Sequence, residues 1–185
     1  MKQTTVIWKP VEYQGMEYLS LREVEDGFGV ESVVIAVQPE GAFRLDYRIQ
    51  CDASFAVRDV HLTMANGAAR YLSADGHGNW FDEKRQLIPH LKGCIDVDIL
   101  STPFTNTLPI KRLAWMPGQT ETLRMVYFTV PDMTIHADEQ RYTCIEQSAD
   151  GAVFRFDQIA TGFTALLPVD ADGLVLDYPE SFTRV

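Results

Sequence analysis

FRLDYRIQC, residues 43–51, decides the fold class of this 185-residue chain. Phe43, Leu45, Tyr47, Ile49 and Cys51 fall on one side of an extended backbone, and Arg44, Asp46, Arg48 and Gln50 on the other. Strict period-2 alternation is a strand with one face buried and one in water. Shorter runs of the same kind recur at 30–37, 57–64, 140–145, 153–156 and 174–178. TLRMVYFTV, residues 122–130, alternates less cleanly and carries one charge, Arg124, so it reads as a strand covered on both faces. SADG at 73–76 and 148–151 and DADG at 170–173 each place Asp-Gly where a tight hairpin needs positive φ. No window of about 11 residues shows a helical period. The expected fold is therefore all-β and antiparallel, a sandwich, roll or barrel with little helix.

RLDYRIQCD (44–52) lines up with RMVYFTVPD (124–132), and SADGHGNW with DADGLVLD further on. The match suggests one domain over 1–185 with an internal β duplication, its halves about 1–92 and 93–185. A hydrophobic content of 46% supports a sizeable core and argues against disorder. The net charge of −10, without a basic run longer than a pair, argues against nucleic acid as a partner. No stretch approaches the ~20 apolar residues of a membrane span. The opening MKQTTVIWKPVEY is broken by Lys9 and Pro10 and does not read as a secretory signal. Cys51, Cys94 and Cys144 have neither disulfide nor zinc spacing, so reduced thiols in a cytoplasmic protein are expected. His61, His77, His90 and His136 show no metal spacing, and no cofactor motif is present.

The chemistry concentrates in GCIDVDILSTPFTNTLPIKRL, residues 93–113. Asp96 and Asp98 share one face of a strand, roughly 6.5–7 Å apart. Such a pair could hold a cation, orient sugar hydroxyls or act as acid and base, or simply be a solvated face. Lys111 and Arg112 follow closely and could neutralise it. In STPFTNTLP, Thr102 suits an N-cap with Pro103 opening a helix that Pro109 would end. Its hydroxyls would then bond local backbone. Alternatively, Thr105, Asn106 and Thr107 offer neutral donors and acceptors to a polyol. Trp80, Trp115 and Tyr178 could stack on a sugar ring or pack in the core.

That segment, GHGNW upstream of it and the ending VDADGLVLDYPESFTRV together resemble the bacterial family labelled "putative glycolipid-binding". Its members carry similar G-C-x-D-V-D, T-P-x-T-N-T-L-P-I and G-L-V-x-D-Y-P blocks in the same order. One departure is Glu180-Ser181, where the family usually has Gly and an apolar residue. The resemblance implies a spiralled antiparallel β-roll or open half-barrel of two similar halves, like the carriers that hold acyl chains on a concave apolar face. The expected function is then non-catalytic binding of an amphipathic small molecule, most simply a glycolipid. In that reading the Phe43/Leu45/Tyr47/Ile49 row takes the acyl part, while Asp96, Asp98, Thr105, Asn106 and Arg112 hydrogen-bond the head group. Trp80 or Tyr178 stacks on the sugar. The alternatives are a carbohydrate hydrolase or lyase with Asp96 and Asp98 as its carboxylates, and an interaction scaffold without a ligand.

Overall fold

A computed structural model describes residues 2–39 and 41–185. The FRLDYRIQC strand extends to β4 (Gly41–Asp52), with Leu45, Tyr47, Ile49 and Cys51 inside and Arg44 and Arg48 outside. Around it are β1 (Gln3–Pro10), β2 (Gln14–Val24), β3 (Gly27–Gln38), β5 (Val57–Met64), β6 (Ala69–Ala74) and β7 (Trp80–Phe81). The later strands are β8 (Asp96–Ile99), β9 (Thr120–Phe128), β10 (Ile135–Gln147), β11 (Gly151–Gln158), β12 (Phe163–Asp170), β13 (Asp177–Tyr178) and β14 (Phe182–Arg184). They form a nine-stranded sheet in the order β13-β14-β1-β2-β3-β4-β5-β6-β7 and a five-stranded sheet in the order β12-β11-β10-β9-β8. The fold is all-β, with curled sheets shaped as a half-barrel. No helix among the described residues is long and apolar enough to cross a membrane.

Each Asp-Gly signal does mark a reversal: β6 to β7, β10 to β11, and β12 into the terminal strands. In the third, Asp170 Oδ1 accepts the backbone N–H groups of Asp172 and Leu174, and Gly173 takes φ +76°. The last residues return to the first sheet, with β14 pairing β1, so that sheet draws strands from both ends of the chain.

The departure from an all-antiparallel plan is β8, which pairs parallel to β9 with Asp98 opposite Tyr127. A parallel pair needs a crossover. Here it is a 3-10 turn, Phe104–Asn106, running into α1 (Thr107–Arg112). Pro109 does not end this helix, as its position suggested. It sits in the first turn, where a backbone N–H has no partner to lose. Leu108 packs into one core, between the nine-stranded sheet and β8–β9; Ile110 packs into a second, on the other face of the five-stranded sheet. Residues 101–107 therefore lie where the two cores meet, and Ser101, Thr102, Thr105, Asn106 and Thr107 are all buried. A surface loop is excluded.

Candidate functional site

Asp96 and Asp98 leave β8 on one face and meet different fates. Asp96 is 1% exposed and receives Arg112 of α1, with Nε 2.9 Å from Oδ1 and Nη2 2.6 Å from Oδ2. Burial raises its pKa, and the guanidinium opposes that rise. The pair fastens α1 to β8. Asp98 is half-buried and pairs with no cation among the described residues. Its Oδ1 accepts Thr105 Oγ1 at 2.9 Å, and its Oδ2 accepts Gln140 Nε2 at 2.6 Å. Burial again raises the carboxyl pKa, with Asp138 adding to the rise. Because Asp96 is spent on Arg112, the two aspartates do not form a free acid–base pair.

Asn106 joins the same network. Its Nδ2 donates to Pro103 O at 3.1 Å, and its Oδ1 accepts Tyr142 OH at 2.9 Å. The Tyr142 oxygen lies 3.3 Å from Gln140 Oε1, which leads back to Asp98. Thr105, Asp98, Gln140, Tyr142 and Asn106 are thus fixed as a unit.

A cavity of about 210 Å³ opens over this network. Its polar wall is Asp98, Thr102, Asn106, Tyr127, Gln158 and Tyr178; its apolar wall includes Phe156, Phe163 and Phe182. Leu100, 51% exposed, and Phe163, 36% exposed, stand at the rim. Burial pushes the Tyr127 phenol up to about 12 and raises Tyr178 further, with Asp98 adding to both, so both hydroxyls stay protonated as donors. A larger recess of about 500 Å³ lies on the outer face of the nine-stranded sheet, around Tyr18, Glu31, Arg48 and His61. Its charges face one another, with Arg48 3.5 Å from Glu31.

Of the residues singled out in the sequence, Asp98, Asn106 and Tyr178 line the cavity, and Thr105 sits behind it on Asp98. Arg112 is turned to Asp96 and does not line it. Trp80 is fully buried in the first core, its indole N–H donating to Cys94 O at 2.8 Å, and offers no face to a ligand. The Phe43/Leu45/Tyr47/Ile49 row packs in that same core, so it is not an acyl surface. Glu180 takes φ +63°. That left-handed conformation favours Gly over a residue with a side chain.

Sequence reading missed Tyr127, Gln158 and Phe163, which strand pairing brings in, and it missed Glu17. Glu17 is 1% exposed, and its Oε1 accepts Ser32 Oγ at 2.7 Å, Tyr47 OH at 2.6 Å and Thr102 Oγ1 at 2.9 Å. Its Oε2 has no hydrogen-bond partner among the described residues. Burial raises its pKa to about 7 against the three hydroxyls. Through Thr102 it anchors the cavity floor to the larger sheet. The available signal was alternation in GMEYLSL, where Glu17, Leu19 and Leu21 share a face. Exposed Met16 and Tyr18 on the opposite face blur that pattern.

No curated protein matches the sequence. Among solved structures, the crystal structure of a DUF1089 family protein from Pseudomonas aeruginosa is similar: 34% identity, TM-score 0.80, covering 91% of this chain and 92% of that one. The sequence pattern of the family described as "Putative glycolipid-binding" matches residues 5–184. Two of the sequence blocks that carry the resemblance contribute to both cores, Leu108 with Ile110 and Leu174 with Val175, and the chain belongs to this family.

Proposed function

We propose that the protein binds an amphipathic glycolipid without converting it, with the sugar in the cavity above Asp98, Asn106 and Tyr178. The observation that carries this reading is the wall itself: hydrogen-bonding groups, Asp98 among them, held rigidly by a buried network and interleaved with aromatic rings. Aromatic faces pack on the apolar side of a sugar ring while fixed polar groups select its hydroxyls. The volume of about 210 Å³ is below the roughly 300–1,000 Å³ of drug-sized sites, enough for one ring but not for an acyl chain. The lipid part would leave over Leu100 and Phe163. Turnover is disfavoured because Asp98 is the one carboxylate lining the cavity among the described residues, while Asp96 is closed by Arg112.

Native mass spectrometry of protein purified from a bacterial host, with solvent extraction, tests the proposal. A co-purifying glycolipid is expected, lost in Asn106→Ala and in Tyr178→Ala. Both variants should keep the wild-type far-ultraviolet circular dichroism. An unliganded mass that persists after incubation with lipid extract contradicts the proposal.

A further inference from the structure

We propose that the head group taken by this cavity carries a positively charged nitrogen, either a free amine on the sugar or a quaternary ammonium. This rests on the reading of the cavity as the head-group site and narrows its ligand class.

Two independent features of the wall point to a cation. The first is aromatic geometry. The ring centroids of Phe156, Phe163 and Tyr178 form a nearly equilateral triangle, with sides of 6.3, 6.2 and 6.2 Å, and Phe182 stands 6.4 Å from Tyr178. All four rings line the cavity. Phe156 meets Tyr178 edge-on and the other pairs are tilted, and an ammonium seated against this aromatic wall would gain from the negative ring faces it touches.

The second feature is charge. Asp98 opens into the same cavity, and among the described residues its hydrogen bonds come only from the neutral groups of Thr105 and Gln140. Asp138, 8% exposed, adds a second carboxylate behind the wall, held by Gln158 Nε2 at 3.2 Å. Among the described residues, no lysine, arginine or histidine lines the cavity. The nearby guanidinium of Arg112 is already occupied by Asp96. A phosphate or carboxylate on the ligand would therefore meet like charge with nothing to offset it. A neutral hydroxyl would bring no countercharge to Asp98, which now has only the hydrogen bonds of Thr105 and Gln140 among the described residues. An ammonium supplies the missing countercharge and sits on the rings at the same time.

Calorimetric titration with glucosamine, glucose, N-acetylglucosamine and tetramethylammonium, at a pH where the sugar amine is protonated, tests this. Glucosamine should bind about tenfold or more tighter than glucose or N-acetylglucosamine, the scale of one charge-assisted contact. Asp98→Asn should erase that preference, and Phe163→Leu should weaken glucosamine and tetramethylammonium alike. Glucosamine binding above tetramethylammonium identifies an amino sugar as the source of the charge; the reverse order identifies a quaternary head group. Equal affinity for glucose, N-acetylglucosamine and glucosamine overturns the charged-nitrogen inference while leaving the sugar site standing. No binding by any probe overturns both.

Discussion

Arg112→Met is expected to destabilise the protein by about 3–5 kcal/mol, the cost of leaving a buried charge without its partner. Asp96 is 1% exposed, and Arg112 contacts both of its oxygens, at 2.9 and 2.6 Å. Without the guanidinium the carboxylate must either stay charged in the interior or take up a proton, and both cost free energy. The deficit should shrink as pH falls. Burial already raises the folded-state pKa of Asp96, and loss of Arg112 raises it further. An acid with a raised folded pKa gives stability at low pH that is lost as pH climbs through that value. Urea unfolding of Arg112→Met, Asp96→Asn and the double variant measures this. The double variant should recover much of the loss, since removing both partners leaves no orphaned charge. A loss below about 1 kcal/mol for Arg112→Met, typical of a solvent-screened pair, would contradict the account.

Glu17→Gln is expected to flatten the dependence of stability on pH. The unfolded chain releases this proton near 4.5, whereas the folded protein holds it to about 7. Across that window the folded state binds more protons, so stability falls as pH rises. The displacement from 4.5 to about 7 corresponds to roughly 3 kcal/mol lost between the acid and alkaline sides. Glutamine keeps an oxygen for Ser32, Tyr47 and Thr102 but does not titrate. The variant should therefore exceed the wild type in stability near pH 8 and lose that advantage near pH 5. Asp96 and Asp98, whose pKa values are also raised, contribute a slope of the same sign, so the difference between the two proteins is the readout. Identical slopes would mean that Glu17 is ionised in the folded state and that its network is held as an anion.

Much of this architecture can be read from alternation. β4 follows directly from its side-chain period and β9 from an apolar run with one charge, and each Asp-Gly places a reversal. β1 and β2 are harder to read, because Met16 and Tyr18 face water at 49% and 51% exposure and break the contrast between faces. The parallel pairing of β8 with β9 and the return of β14 to β1 are long-range choices that local pattern does not encode. The site divides the same way. Asp98, Asn106 and Tyr178 lie in quotable blocks, whereas Tyr127, Gln158 and Phe163 come from three separate strands and meet them only through sheet curvature. Trp80 shows the limit of residue type as evidence: an indole suited to stacking on sugar is equally suited to a core, and here its N–H is satisfied by Cys94 O. The Thr-Asn-Thr block both locks the crossover and presents its second member, Asn106, to the cavity.

The most direct test of the head-group site is a two-dimensional amide NMR titration with octyl glucoside and octyl glucosaminide, kept below the concentration at which they form micelles. The account predicts shifts confined to residues 98–106, Tyr127 and its strand neighbours, 156–163 and 178–182, including the side-chain amides of Asn106 and Gln158. Shifts centred instead on Tyr18, Glu31 and Arg48 of the outer recess, or no shifts from either compound, would contradict it.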